Sequence, residues 1–263
     1  MESSSRRKIS RSRKLKRSKF LHMDRAQCLK SSRSLITEWH CLEKRLLNAK
    51  CPREIASVQE RMDEMGGLGR YQDASIAGHS KAAAKFNSAK WVITCLRRRQ
   101  DKYRLLDVGA LSNHYLPYSS WIDCTAMDLK PRHSSVLEQD FFTYEPGQNR
   151  FDVVVLSLIL NFVACKAKRG LMIRLAADLL ADSESILVIV LPKACLDNSR
   201  YLDNERFING LEVYGLQPVL PLCKVTAKLS LWILKKGVPK QSHDSRQKII
   251  RSGSNRNNFS ITF

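Results

Sequence analysis

The sequence lacks every paired metal-binding or redox motif. Its eight cysteines stand singly at positions 28, 41, 51, 95, 124, 165, 195 and 223, and its six histidines form no HxH or HxxxH pair. A zinc ribbon and a CxxC redox site are excluded, and scattered single thiols suit a reducing, intracellular setting. Long apolar runs are also missing: no stretch approaches the roughly 20 apolar residues that span a bilayer. The basic N-terminal segment has no apolar core of the kind a secretory leader needs. These absences predict neither metal nor membrane as a partner. Acid is scarce, with 25 Asp+Glu against 45 Lys+Arg and a formal charge of +20. Such an excess favours a polyanionic partner, nucleic acid ahead of an anionic membrane surface.

What is present is unevenly spread. Residues 1–19 hold nine Lys/Arg and one acid, Glu2, with serines in most of the gaps. Such a segment cannot bury enough apolar area to offset its ordering entropy, so residues 1–30 read as a disordered basic tail. Its charge density suits a nuclear or nucleolar address and a phosphate-binding arm. Residues 31–100 read as a helical segment. Leu35, Ile36, Trp39, Leu42, Leu46 and Leu47 recur at helical spacing, and a second helix follows Pro52 and ends at Gly66-Gly67. The stretch 66–75 shows no period and is expected to be a loop or lid, before a third helix over about 80–99.

Residues 101–236 alternate strand and helix patterns. Strands are expected at 104–108, 123–128, 151–157, 185–191 and 225–234, with a weaker one near 217–221; helices are expected at about 166–181 and 204–214, and a short one after Ser112. Phe151–Leu156 and Ile186–Leu191 are nearly all apolar, as in a parallel sheet covered on both faces. Residues 225–234 instead alternate, which predicts a late antiparallel strand. The fold class is therefore α/β, a doubly wound Rossmann-like sheet, mostly parallel, with helices preceding it. Residues 237–263 are basic and Ser/Asn-rich and read as a second disordered tail.

Open α/β sheets bind ligands beyond the carboxyl ends of their strands. Four features fall there. Gly109 follows the apolar strand Leu105–Val108, where a missing side chain permits close approach to the backbone. Ser112 and Asn113 are placed to cap the next helix. Asp128 ends the next strand, 19 residues after Gly109, the position from which a carboxylate accepts from both ribose hydroxyls. Asp140 can accept from an adenine amino group, and Phe141 offers an aromatic face. Ser157 stands at the mouth of the fourth strand. Only one glycine of a GxGxxG fingerprint is present, and a pyrophosphate needs the glycine-lined helix N-terminus most. The pattern therefore favours S-adenosylmethionine, a nucleoside cofactor without phosphate, over NAD or FAD.

Several stretches carry a family resemblance. Gly-Gly-Leu-Gly-Arg-Tyr-Gln-Asp-Ala-Ser (66–75), Leu-Leu-Asp-Val-Gly-Ala-Leu (105–111), Met-Asp-Leu (127–129), Gln-Asp-Phe-Phe (139–142), Phe-Asp-Val-Val-Val-Leu-Ser-Leu-Ile-Leu-Asn-Phe-Val (151–163) and Asn-Ser-Arg-Tyr (198–201) resemble the fungal large-subunit (25S) ribosomal RNA adenine-N1 methyltransferases. The family extends to an animal S-adenosylmethionine sensor of the TORC1 pathway. The resemblance implies a class I methyltransferase fold and a nucleolar enzyme that makes N1-methyladenosine in large-subunit rRNA or a pre-ribosome. It also implies cofactor contacts at Gly109 and Asp128, and less directly at Asp140, Phe141 and Ser157. A non-catalytic sensor is the alternative, and the basic N-terminal arm argues for the enzyme. Adenine N1 already carries a lone pair, so the chemistry needs alignment rather than a base. Asn161 and Phe162 could meet the adenine edge and face. The plainer reading is a helix cap and a core residue.

Overall fold

The computed structural model describes residues 34–43, 45–46, 49–79, 88–96, 102–240 and 248–263. The basic arm at 1–19 lies outside the described residues. Contacts divide the chain into two units, Met1–Phe86 and Asn87–Phe263.

The first unit holds α1 (residues 34–43), α2 (Pro52–Glu64) and α3 (Gly67–His79). Pro52 opens α2, and Gly66, at φ +92°, provides the left-handed residue that ends it. The expected loop at 66–75 is instead the start of α3. Its glycines are poor helix formers, but Tyr71 and Ala74, three residues apart, are both buried. Tyr71 stacks on Trp39 of α1 with centroids 5.1 Å apart. Tertiary packing of one face thus overrides local propensity.

The second unit begins with α4 (Ser88–Leu96), which buries Ala89, Val92, Ile93 and Leu96. This helix was expected in the N-terminal segment; its contacts place it with the sheet. The strands are β1 (Tyr103–Val108), β2 (Ile122–Asp128), β3 (Leu137–Glu138), β4 (Val153–Ser157), β5 (Ile186–Pro192), β6 (Leu216–Pro218), β7 (Lys224–Val225) and β8 (Leu229–Lys236). Their order is β3-β2-β1-β4-β5-β8-β6, with β7 also on β8. The first five are parallel and β8 runs antiparallel to its neighbours. Chain order reverses between β1 and β4, so the switch point lies at their carboxyl ends.

The expected strand 225–234 breaks into two, because Thr226 accepts from the backbone of Lys228 and Leu229 and turns the chain. Alternation there is also misleading: Ser230 through Leu234 are all buried, so β8 is covered on both faces. Between the strands run α5 (Lys166–Asp178), the single turn α6 (Ala194–Asp197) and α7 (Asn204–Val213). Asp203 caps α7 by accepting from the Arg206 N–H at 2.9 Å. The expected helix after Ser112 is one 3-10 turn, Leu116–Tyr118.

The C-terminal segment differs most from expectation. Residues 248–263 are not a solvated tail. Phe259 and Ser260 are buried, and Phe259, Ile261 and Phe263 join the main core. Asn257 pairs with Ser199 in an isolated parallel bridge. Thr262 donates its N–H to the Lys166 carbonyl at 3.1 Å. Composition over the whole segment concealed the apolar alternation at its end.

Candidate active site

The site is built from strand ends. The β1–β2 register pairs Val108 with Met127, and β2–β3 pairs Asp128 with Glu138. Gly109, Asp128 and Asp140 therefore follow one another along the carboxyl edge, and Ser157 closes β4 on the other side of β1.

Gly109 adopts φ +77°, a region that disfavours side chains. A Cβ there would also stand 2.7 Å from Ile159 Cδ1, so the turn brings the backbone against the loop after β4. The N–H groups of Gly109 and Ala110 both donate to the Met127 carbonyl, at 2.8 and 3.0 Å. The turn therefore aims no helix N-terminus at a phosphate. Asn113 caps the following turn by accepting from the Tyr115 N–H, but Ser112 contacts His114 instead.

Asp128 is half-buried, and one of its carboxylate oxygens accepts from the Lys130 N–H at 2.8 Å. Asp140 caps a 3-10 turn by accepting from the Phe142 N–H at 2.9 Å. This cap orients its carboxyl group. Phe141 does not offer a face: it is 6% exposed and belongs to the core. Phe142 is the more open ring, with Lys168 Nζ 5.4 Å from its centroid. Ser157 donates to Ser88 Oγ at 2.9 Å and so ties the start of α4 to the end of β4.

Asp107 was not singled out from the sequence. It is buried within β1, two residues before Gly109, and burial pushes its carboxyl up to about 7. The buried Tyr115 phenol and the Cys124 thiol are pushed upward as well, by burial first and by Asp107 second. The available signal was an acid inside an otherwise apolar strand.

The loop after β4 is the other concentration of unusual features. Leu158 is left-handed at φ 59°, the one such non-glycine among the described residues. Its N–H donates to the Val190 carbonyl at 2.9 Å, which fixes the turn. Asn161 Oδ1 is buried without a hydrogen-bond partner among the described residues. Asn161 is not a helix cap, because α5 is capped at Cys165. Buried polar atoms are nearly always paired; Trp39 Nε1 and Trp232 Nε1 are likewise buried without a partner among the described residues, and what sets Asn161 apart is its place beside the switch point.

The strand ends fit an adenosyl sulfonium cofactor. They present the carboxyl groups of Asp107, Asp128 and Asp140, suited to hydroxyls, an amine and a positive charge, and their turn is not shaped for phosphate. Among the described residues, no group of three or more His, Cys, Asp or Glu is placed to hold a metal, and no helix is long and apolar enough to cross a membrane.

Sheet order, switch point and acidic strand ends together define an S-adenosylmethionine-dependent methyltransferase of the Rossmann-like class. The family model described as "25S rRNA (adenine(2142)-N(1))-methyltransferase, Bmt2" matches residues 56–261, and the chain belongs to that family. A curated relative, the 25S rRNA adenine-N(1) methyltransferase of Schizosaccharomyces pombe, is 26% identical over 91% of this chain and 94% of its own length. The 25S rRNA (adenine(2142)-N(1))-methyltransferase of Saccharomyces cerevisiae is 29% identical over 79% of this chain and 63% of its own length. Similar solved structures include an S-adenosylmethionine-dependent methyltransferase from Clostridium acetobutylicum, with TM-score 0.48, 11% identity and coverage of 64% of this chain and 99% of that one.

Proposed function

We propose that this protein methylates N1 of an unpaired adenine in large-subunit rRNA, and that Asn161 reads the base. The observation that carries the base-reading role is the orphaned Asn161 Oδ1 in the loop after β4. Adenine presents an exocyclic amine beside N1. An acceptor at Asn161 would take a hydrogen bond from that amine and point N1 inward.

The bound cofactor supplies an electrophilic methyl group on a sulfonium. Asn161 would hold the adenine so that its N1 lone pair faces that methyl group and accepts it. The base thereby gains a positive charge that spreads onto the exocyclic nitrogen. A carbonyl oxygen facing that amine is favoured more in the transition state than in the ground state. In this reading Asp128 holds the ribose and the free oxygen of Asp140 takes the adenosyl amine. Gly109 admits the cofactor against the turn, Phe141 contributes its backbone rather than its ring, and Ser157 holds α4 beside the site. N1 lies on the pairing edge, so the base must be unpaired or extruded.

The basic arm at residues 1–19 supports a nucleolar location and a pre-ribosomal substrate. The test is methylation of large-subunit rRNA by the full chain, read as N1-methyladenosine by nucleoside mass spectrometry. Asn161→Ala should lower turnover on the order of 10- to 100-fold with cofactor affinity unchanged. Absence of product from the wild-type chain overturns the enzyme reading. Unchanged turnover in the variant overturns the role of Asn161 alone.

A further inference from the structure

The loop that carries Asn161 is held from behind. Arg169 lies on the first turn of α5, is 7% exposed, and its guanidinium reaches backbone carbonyls. Its Nε donates to the Leu160 carbonyl at 3.1 Å and to the Val163 carbonyl at 2.7 Å, one on each side of Asn161-Phe162. Its Nη1 donates to the Ser260 carbonyl at 2.7 Å, and the Phe259 ring lies under the guanidinium at 4.4 Å. A buried charge is costly unless it is hydrogen-bonded, and these carbonyls and the aromatic face help to hold it.

The far side of this clamp is the C-terminal segment, which is itself firmly docked. Asn198-Ser199-Arg200, within a stretch that the site chemistry does not use, forms its seat. Ser199 Oγ donates to the Phe259 carbonyl at 2.5 Å, and Arg200 donates its N–H to the Asn257 carbonyl at 2.9 Å. Arg251 Nη1 reaches the carbonyls of Leu196, Ser199 and Leu202. Two helical glycines allow the close approach. A Cβ on Gly170 would stand 1.7 Å from the Thr262 carbonyl oxygen, and one on Gly210 would stand 2.1 Å from the Phe263 ring.

Resting on the base-reading role of Asn161, we infer that Arg169 is a positioning residue for methyl transfer and that the C-terminal segment 257–263 is the strap that sets it. The planar guanidinium shares its one Nε–H between the Leu160 and Val163 carbonyls and reaches the Ser260 carbonyl through Nη1, and so fixes where the Asn161 amide stands. Lysine carries the same charge but not the planar fork, and cannot bridge these carbonyls in the same geometry. Displacement of about 1 Å at an aligning group is enough to slow a reaction on the order of 100-fold.

The experiment uses full-length Arg169→Lys and Phe259→Leu. Each is assayed for thermal melting, for S-adenosylmethionine affinity by calorimetry, and for single-turnover methylation of matched RNAs carrying adenosine or purine riboside at the acceptor. Purine riboside has no exocyclic amine. Arg169→Lys should keep cofactor affinity within about twofold and lose about tenfold or more in turnover on adenosine. The adenosine-to-purine ratio should fall in both variants, less in Phe259→Leu. A merely structural role would slow both substrates alike and leave the ratio unchanged, and that result overturns the inference. If Arg169→Lys does not fold, an unchanged ratio in Phe259→Leu overturns it equally. An inactive wild-type chain would defeat the underlying methyltransferase reading instead, so the two failures are distinct.

Discussion

The two ends of the parallel strands treat polar groups in opposite ways. At the amino ends, Arg104 meets Asp152 through its backbone N–H at 2.7 Å, Nε at 3.2 Å and Nη2 at 2.9 Å. Lys235 meets Glu184 at 2.8 Å, and Asp182 accepts from the Glu184 and Ser185 N–H groups. A cleft of about 240 Å³ opens there, lined by Lys102, Asp152, Glu184 and Lys235 among others. At the carboxyl ends, Asp107 is buried, with burial alone raising its pKa; Leu158 is left-handed; and Asn161 Oδ1 is orphaned. The amino end is compensated by ion pairs, whereas at the carboxyl end Asp107 and Asn161 Oδ1 are buried. Buried polar groups beside the switch point mark the candidate site, because burying them costs stability that folding alone does not repay.

The largest effect that would sharpen this contrast is at Asp128. Asp128→Ala removes an acceptor for two ribose hydroxyls at once. Each hydrogen bond to a charged group contributes about 1.5–3 kcal/mol, so S-adenosylmethionine affinity should fall on the order of 100-fold or more. The chain should stay folded, because Asp128 is only half-buried and ends its strand. Calorimetry on the folded variant reads the result, and unchanged affinity would remove Asp128 from the site.

Asp107 should respond to pH. Its folded value of about 7 lies above its ordinary 3.8. Below about 4 both folded and unfolded chains hold the proton, and the group costs nothing. Between about 4 and 7 the unfolded chain ionises first, so the folded state binds more protons and stability falls as pH rises. Above about 7 the loss levels off, after a change on the order of a few kcal/mol. Asp107→Asn should flatten this slope in thermal melts. In the wild-type chain, cofactor affinity should rise with pH toward about 7, because an ionised carboxylate attracts the sulfonium and amino charges. A wild-type melting profile without the slope would show that Asp107 is not desolvated, and the contrast between strand ends would weaken.

Legibility in the sequence followed the strength of the local pattern. β1, β2, β4 and β5 lie within a residue or two of their expected bounds, because β4 and β5 are apolar runs and β1 and β2 carry apolar residues up to the Gly109 turn and Asp128. α5 and α7 were equally clear. Gly109, Asp128 and Asp140 stand at strand ends as expected, since chain order fixes that edge. Three things were hidden. Glycines at 66, 67 and 69 masked a helix whose stability comes from Tyr71 on Trp39. The polar and basic residues that make up most of 237–263 masked Phe259, Ile261 and Phe263, which dock on helices far away in sequence. Arg169 read as one more basic residue in a basic protein, and only its burial against carbonyls distinguishes it. Each depends on a partner distant along the chain, which a local pattern cannot carry.

The smallest expected effect tests the compensated end. Arg104→Ala deletes the guanidinium of the Arg104–Asp152 pair, whose side chains are 53% and 26% exposed. Exposed pairs contribute about 0–1 kcal/mol, because water screens the charges and two long side chains lose freedom. The Arg104 N–H to Asp152 bond at 2.7 Å survives in alanine, so the β1–β4 register keeps its anchor. Melting should shift by a few degrees at most, and both cofactor affinity and rRNA methylation should match the wild-type chain. A loss of affinity comparable to that of Asp128→Ala would break the comparison. It would mean that the amino-end ion pairs hold the carboxyl-end geometry through β1, and that the two edges act as one site.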